Sequence, residues 1–411
     1  MNVGVIGLGY VGLPLAVAFA EAGHDVVAVD LAPERVAKLR RGESYIEDIP
    51  SDRLQAVSHR ITPDTAYEPL AGTDAVIVCV PTPLSENREP DLQPLRAAGW
   101  SLSRILRPGQ LVVLESTTFP GTTRDLLAPI LEKTSGLKAG VDYPLAFSPE
   151  RVDPGRTDYT LRTTPKVVGG LTESCGDAAE ALYAEVCDEI VRVSSPEVAE
   201  LTKLHENIFR SVNIAMVNEM SMLCERMGID IWEVVDAAST KPYGFMRFEP
   251  GPGMGGHCLP VDPFYLSWQA RKFDLTTRFI ELAGEVNQEM PYECVNRVVR
   301  ALNDDGKPVR GSRIAILGVS YKAGVGDVRE SPALKIITLL REMGGDVVYS
   351  DPYVPTLGAN LVSVSPEDAV DGCDAAVIAT AHPDVDHGEL LDGLPVVIDL
   401  RGAMRKIGVA R

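Results

Sequence analysis

Val3-Gly-Val-Ile-Gly-Leu-Gly-Tyr-Val-Gly12 decides the fold. Val3 to Ile6 is a short apolar strand. Gly7-x-Gly9-x-x-Gly12 turns the chain, an apolar helical stretch runs to Ala22, and Gly23 supplies its stop. The next strand, Asp25 to Val29, ends on Asp30. Glycines at this spacing are weak evidence alone. Between a strand and a helix, with a carboxylate closing the following strand, they form a dinucleotide-binding fingerprint. Gly7 makes the tight turn, Gly9 lets a pyrophosphate approach the backbone, and Gly12 lets helix pack on strand. Asp30 is placed to accept hydrogen bonds from the ribose hydroxyls, and its charge repels a 2′-phosphate, which favours NAD over NADP. A glycine turn without a ligand, or a flavin site, are the competing readings.

Outward from this turn, Pro33 to Arg41 reads as a helix, and Ala75 to Val80 and Leu111 to Leu114 as strands. Strands alternating with helices imply a parallel, doubly wound sheet. The pattern changes at Ser195-Pro196, a cap followed by proline at the first helical position. From there to Met227 no Pro or Gly intervenes, and Leu201, Leu204, Ile208, Val212 and Ala215 recur at helical spacing. A helix of this length joins domains or dimerises. Glu233 to Ala238 and Pro263 to Lys272 also read as helices. A second strand–helix series follows: strand 312–318, helix 332–343, and strands 346–350, 375–379 and 396–399. It has Gly318-Val-Ser-Tyr-Lys322 in place of the fingerprint. The expected layout is α/β, with two Rossmann-like doubly wound parallel-sheet domains joined by a central helical domain with one long helix. The segments are 1–195, 196–300 and 301–411.

The length of 411 residues exceeds one ordinary core, and 45% hydrophobic residues is a globular composition. Against 39 basic residues stand 58 acidic ones, a net charge of -19, which argues against nucleic-acid or anionic-membrane partners. Any phosphate-bearing ligand must be held by local donors. No apolar run approaches membrane-spanning length, and the chain opens directly into a strand, so a cytoplasmic protein is expected. Seven cysteines without a CxxC argue against a disulfide framework. Most read as small buried hydrophobes, Cys79 and Cys224 foremost.

Cys258 stands apart. It lies in Gly251-Pro-Gly-Met-Gly-Gly-His-Cys-Leu-Pro-Val-Asp-Pro263, where glycines let a substrate approach a thiol closely. His257 lowers the thiol pKa, acts as a base, or is structural. No second Cys or His falls at ligand spacing, so no metal is expected. A nicotinamide cofactor with a nucleophilic cysteine suggests oxidation of an alcohol to an acid through a thioester. Lys203 and Asn207, at i and i+4, share a face of the long helix. They form either a solvated surface or an ammonium–amide pair stabilising an oxyanion. Glu115-Ser-Thr-Thr118 ends a strand and Phe147-Ser-Pro-Glu-Arg151 follows an apolar stretch, the places where open α/β sheets bind ligands. A Thr and a Glu there can hold and deprotonate a water; Ser116 and Thr118 read equally well as turn caps. Lys322 and Arg329, in Tyr321-Lys-Ala-Gly-Val-Gly-Asp-Val-Arg-Glu-Ser-Pro332, suit either an anionic ligand or a plain surface loop.

Together these motifs resemble the UDP-glucose/GDP-mannose dehydrogenase family nearly end to end. The resemblance rests on Gly7-x-Gly-x-x-Gly12, Val80-Pro-Thr-Pro83, Glu115-Ser-Thr117, Ser148-Pro-Glu150, Thr202-Lys-x-x-x-Asn207, Gly255-Gly-His-Cys-x-Pro-x-Asp262 and Tyr321-Lys322 with Arg329-Glu-Ser331. It implies a four-electron oxidation of a nucleotide sugar at C6 with two NAD in turn. Cys258 matches the nucleophile, Lys203 and Asn207 the oxyanion pair, Asp262 a carboxylate assisting proton removal, and Thr117 and Glu150 the water-handling pair. Cofactor contacts are implied for Gly7, Gly9, Tyr10, Val11, Gly12, Asp30, Arg35, Pro81, Thr82, Thr117 and Arg329. For the sugar nucleotide they are implied for Glu150, Arg151, Lys203, Asn207, Phe245, Gly255, Tyr321, Lys322 and Arg401. The long helix matches the family's dimer helix, implying a homodimer or higher homo-oligomer.

Within the family, Gly-Gly-His-Cys-Leu-Pro-Val-Asp-Pro-Phe-Tyr-Leu266 and Ser-Pro-Glu-Arg-Val-Asp-Pro-Gly155 are similar to the branch acting on UDP-N-acetylhexosamines. Arg151 replaces a Phe frequent in the UDP-glucose branch. Where that branch carries a subunit-bridging arginine, this chain has Lys241 and Pro242, with Arg247 nearer Cys258. The resemblance implies oxidation of UDP-N-acetylglucosamine first, for surface polysaccharide synthesis. UDP-N-acetylmannosamine or UDP-glucose oxidation, a two-electron hydroxy-acid dehydrogenase and a non-enzymatic NAD-binding protein are the alternatives.

Overall fold

The computed structural model describes residues 1–46, 48–85, 89–152, 158–256, 262–358 and 361–407. The chain forms two compact units, one of Met1–Glu206 with Phe264–Leu275, the other of Asn207–Pro263 with Thr276–Arg411. Among the described residues no helix is long and apolar enough to cross a membrane.

The first unit is built on an eight-stranded sheet: β1 (Asn2–Ile6), β2 (Asp25–Val29), β3 (Ile61–Asp64), β4 (Ala75–Val78), β5 (Leu111–Leu114), β6 (Leu145–Phe147), β7 (Lys166–Gly170) and β8 (Ile190–Val193). Their order is β3-β2-β1-β4-β5-β6-β7-β8. β4 and β5 are buried along their whole length, as expected of parallel strands covered on both faces. Alternation splits their side chains between two cores. Ile77 and Val113 join one; Val76, Val78, Val112 and Leu114 join the other. Every neighbouring pair is parallel except β6 and β7, which run antiparallel. That one antiparallel pairing in an otherwise parallel sheet brings Lys166, at the start of β7, back to the C-terminal ends of β5 and β6. Helices α1 (Gly12–Glu21), α2 (Glu173–Tyr183) and the first turns of α3 (Pro196–Met227) belong here, as does most of α4 (Asp262–Ala270).

The second unit holds a four-stranded parallel sheet of order β10-β9-β13-β14. Its strands are β9 (Arg313–Leu317), β10 (Asp346–Ser350), β13 (Ala375–Ile378) and β14 (Val397–Asp399); β11 (Thr356–Leu357) and β12 (Leu361–Val362) form a separate small pair. Two helices flank the sequence of this sheet, α5 (Arg278–Asp304) and α6 (Pro332–Glu342). α5 is not among the expected helices, and Pro291 lies inside it. Proline removes the N–H that would bond the carbonyl four residues earlier, here Asn287. The freed Asn287 carbonyl faces Gly253, whose Cβ, were there one, would stand 2.9 Å from it. Tertiary packing thus accommodates a break that local rules forbid. Cys175, Cys187, Cys224, Cys294 and Cys373 are buried, and Cys79 packs against the first core.

Candidate active site

Three glycines of the first turn do three different jobs. Gly7 sits at φ +88°, and a Cβ there would meet the Cys79 carbonyl oxygen at 2.5 Å. A Cβ at Gly12 would lie 1.9 Å from the Gly7 carbonyl oxygen. At Gly9 a Cβ would meet nothing within 4 Å. The backbone at Gly9 is therefore open, at the N-terminal end of α1, where unpaired amides and the helix dipole favour an anion. Val11 precedes α1 as its cap, and Tyr10 is exposed. Asp30 accepts from the Leu8 amide at 2.8 Å and the Ala32 amide at 2.9 Å. The Arg35 guanidinium reaches Asp30 at 3.2 Å and lies over the Tyr45 ring. Beside these, Thr82 Oγ1 donates to the Thr117 carbonyl at 2.8 Å, tying the Pro81–Thr82 loop to the loop after β5. An open anion cradle with a carboxylate at the end of the second strand fits NAD.

At the same C-terminal edge, Thr117 and Glu150 each lie three residues beyond the ends of β5 and β6, neighbouring parallel strands in register Leu114↔Phe147. Glu150 is held from both sides. Its Oε1 accepts from the amides of Arg151 (2.8 Å) and Val152 (2.6 Å), while its Oε2 faces Lys166 Nζ at 3.4 Å. Lys166 also pairs with Glu115 Oε1 at 3.0 Å, and Tyr183 Oη donates to that oxygen at 2.5 Å. Burial pushes the Glu150 carboxyl up, but Lys166, the two amides and Lys203 outweigh it and hold it below the ordinary value. At Glu115 burial wins, and its carboxyl is raised despite Lys166. The second oxygen of Glu115 is buried without a hydrogen-bond partner. Ser116 caps as expected, donating to the Val80 carbonyl at 2.7 Å; the Thr118 hydroxyl is buried and unbonded.

On α3, Lys203 and Asn207 are both buried, which removes the solvated-surface reading. Asn207 Oδ1 accepts from Arg210. Arg151 is gripped by Glu206 at 2.7 Å and the Pro165 carbonyl at 2.6 Å. One turn before Lys203, Glu200 accepts from the amides of Gly121 (2.6 Å) and Thr123 (2.8 Å), capping the π-helical turn Thr122–Leu127. His257 and Cys258 lie outside the described residues; Asp262 opens α4, and its side chain lies outside them too.

The approach to the cysteine is described within the second unit. Asn218 accepts from the Gly251 amide at 2.9 Å and donates to Asn287 at 3.0 Å, and Asn287 donates to the Ser211 carbonyl at 3.1 Å. A Cβ at Gly255 would stand 2.6 Å from Tyr321 Cβ and 3.0 Å from the Glu330 carbonyl, and the Gly256 amide donates to the Arg329 carbonyl at 2.9 Å. Glu330 adopts φ +51° to present these carbonyls. The glycines therefore serve close packing against the 321–332 loop as much as ligand access. Lys322 is half-buried on that loop. Arg329 makes a two-pronged pair with Asp327. Arg401 donates to the Ala379 carbonyl at 2.8 Å, and Phe245 is exposed. Arg247 is held by Asp236 (2.7 Å) and Glu249 (3.1 Å), while Lys241 lies over Tyr243.

The second sheet reproduces the first turn with one change. Gly318, at φ +78°, donates to the Ser350 carbonyl as Gly7 does to Val29. Asp351 takes the place of Asp30, accepting from the Val319 and Ser320 amides, but His382 covers it at 3.0 Å and it is buried to 2%. His382 thus faces Asp351 where Arg35 faces Asp30. Sequence reading missed Lys166, Tyr183, Asn218, Asn287 and also Tyr265, which anchors α4 to the Thr82 carbonyl at 2.7 Å. A lone lysine in a valine-rich strand, Lys166-Val-Val168, was the available signal for the first.

Three consecutive stretches match models of the UDP-glucose/GDP-mannose dehydrogenase family: the NAD binding domain at residues 1–187, the central domain at 197–289 and the UDP binding domain at 315–406. The chain is 38% identical over 388 residues to a UDP-N-acetyl-D-mannosamine dehydrogenase of Pyrococcus horikoshii, covering 93% of this chain and 90% of that one. It is 35% identical over 389 residues to a UDP-N-acetyl-D-glucosamine 6-dehydrogenase of Pseudomonas aeruginosa, again 93% and 90%. A solved UDP-N-acetylmannosamine dehydrogenase structure from P. horikoshii superposes with TM-score 0.90 at 36% identity, covering 98% of this chain and 96% of that one.

Proposed function

The chain belongs to the UDP-glucose/GDP-mannose dehydrogenase family, and on that premise we propose that it oxidises C6 of a UDP-N-acetylhexosamine to the carboxylate through a thioester on Cys258. It is an NAD-dependent nucleotide-sugar dehydrogenase. Support for an N-acetylated sugar comes from Arg151 and from relatives whose names carry N-acetylhexosamines. Within that branch, UDP-N-acetylglucosamine is the first candidate substrate. The relative with 38% identity makes UDP-N-acetylmannosamine the direct competitor.

The observation that carries the four-electron reading is Glu150, a half-buried carboxylate held ionised at the strand-end edge that also carries Thr117. Two-electron alcohol oxidation has no use for a base aimed at water; thioester hydrolysis needs one. When bound, NAD supplies a hydride acceptor for each oxidation. The chain's part begins with Lys203 and Asp262, which assist loss of the C6 hydroxyl proton. Cys258 then adds as thiolate to the C6 aldehyde, and Lys203 with Asn207 stabilises the oxyanion so formed. After the second oxidation, Thr117 positions a water and Glu150 takes its proton as hydroxide adds to the thioester carbonyl. The C–S bond breaks and the Cys258 thiolate leaves. Gly9, Asp30 and Arg35 hold the cofactor, Arg329 contributes a contact to it, and Arg151, Tyr321, Lys322 and Arg401 hold the sugar nucleotide. The proposed functional segments remain 1–195, 196–300 and 301–411, in a cytoplasmic homodimer. The apolar side chains Phe209, Met216, Met220, Leu223 and Met227, all exposed on α3, support a second copy as partner.

NADH formed per sugar consumed tests this on UDP-N-acetylglucosamine, UDP-N-acetylmannosamine and UDP-glucose. Two NADH on an N-acetylated sugar, abolished with acid formation in Cys258→Ser, is the expected result. Two on UDP-glucose alone would discard the substrate, and one NADH per sugar would discard the thioester.

A further inference from the structure

We propose that Lys166 is a positioning residue for the hydrolytic step: its ammonium, buried between Glu115 and Glu150, fixes Glu150 in place as a carboxylate aimed at water. The inference rests on the reading of Glu150 as that base. It starts from an arrangement the overall reaction leaves unexplained. Lys166 is 2% exposed and Glu115 1% exposed, on neighbouring parts of one sheet. A buried lysine is costly, and one set in a strand core needs full pairing. Lys166 has it, at 3.0 Å from Glu115 and 3.4 Å from Glu150, with the Tyr183 ring 5.0 Å below.

One ammonium cannot neutralise two carboxylates, so their surroundings divide its effect. Glu115 is wholly enclosed, is supported by the Tyr183 hydroxyl and keeps one oxygen unbonded. Glu150 adds two backbone amides to the lysine. Burial thus raises the Glu115 carboxyl, while at Glu150 Lys166 and the two amides outweigh burial and hold the carboxyl below the ordinary range. The other titratable groups facing the cluster are Cys79, Cys187 and Tyr183, each pushed up by burial into the neutral form, and Lys203, which adds positive charge near Glu150. If structure alone were served, an apolar side chain in β7 facing a single buried Glu–Tyr pair would do as well.

The test follows decay of the covalent sugar–enzyme adduct by rapid acid quench and intact-protein mass, in single turnover with saturating NAD, from pH 3 to 9. In the wild type the decay rate falls only at the acid end. In Lys166→Met that acid limb should move up by at least about one unit, a loss of roughly fivefold at the pH where wild type is half-maximal. Lys166→Arg should return it. Loss that is equal at all pH values, with the limb unmoved, would make Lys166 merely structural and overturn the proposal. Should Lys166→Met not fold, Glu115→Gln supplies the test: with the rival charge gone, the limb should move down, and an unmoved limb overturns the proposal. Glu150→Gln run alongside separates the underlying reading. If it keeps the wild-type limb, Glu150 is not the base, and the failure lies there rather than in Lys166.

Discussion

At the scale of single residues, three glycines seven, nine and twelve positions into the chain carry identical chemistry and opposite constraints. Gly12 is required by the fold, since any Cβ would enter the Gly7 carbonyl. Gly9 is not, since a Cβ there meets nothing. Gly12→Ala should therefore cost about 3 kcal/mol or more of stability. Gly9→Ala should leave the thermal midpoint essentially unchanged, within about 0.5 kcal/mol, and weaken NAD binding on the order of tenfold, about 1.4 kcal/mol. Calorimetric titration of NAD alongside thermal unfolding separates the two. Equal loss of stability in both variants would show that Gly9, too, is structural. The same logic explains Gly255 and Gly256, whose missing side chains make room for Tyr321 and the carbonyls of the 329–330 turn.

At the scale of elements, α3 is attached to the π-helical turn by the buried carboxylate of Glu200 and by the more exposed Arg124–Glu197 pair at 2.6 Å. Glu200 accepts from two amides and from Thr123 Oγ1 at 2.7 Å, yet burial outweighs these donors and raises it to about 7. A carboxyl raised in the folded state stabilises when protonated. Its contribution is complete below its unfolded value of 4.5 and is lost as pH rises through about 7. The expected loss across that window is about 3 kcal/mol. Thermal unfolding midpoints of wild type should fall from pH 5 to pH 8 relative to those of Glu200→Gln, which has no proton to lose. Parallel pH profiles for the two proteins would reject the assignment. Because Lys203 follows Glu200 by three residues on the same helix, this latch also sets the register of a proposed catalytic group.

For the molecule as a whole, a row of exposed Met, Leu and Phe side chains along α3 is more apolar surface than a helix of a soluble monomer ordinarily leaves open. Met216 and Leu223 lie seven residues apart, two turns along one face. Met216→Glu with Leu223→Glu should convert the proposed homodimer to monomer, read by sedimentation velocity at micromolar concentration. A wild type that sediments as a monomer would dismiss the homodimer. The double variant should fold normally as a monomer, since both side chains are exposed within this chain.

What the sequence by itself determined is local and periodic. The fingerprint turn, the length of α3, the alternating β and α of both sheets and the motif residues are written in nearest-neighbour spacing, where sterics and hydrophobic periodicity act directly. Asp30, Thr117 and Glu150 are legible for the same reason: each follows a strand that its own residues announce. What only the tertiary structure decided depends on partners distant in the chain. Lys166 reads as an oddity in a valine strand until the antiparallel β6–β7 pairing sets it beside Glu115 and Glu150. Asn218 and Asn287 read as ordinary helical polar residues until they meet across 69 positions. Pro291 is tolerated inside α5 where Gly253 comes up against the carbonyl it frees. In each case the deciding energy is that of a buried polar group finding or losing its partner. That energy is set by the enclosure around it, and no window of local sequence contains it.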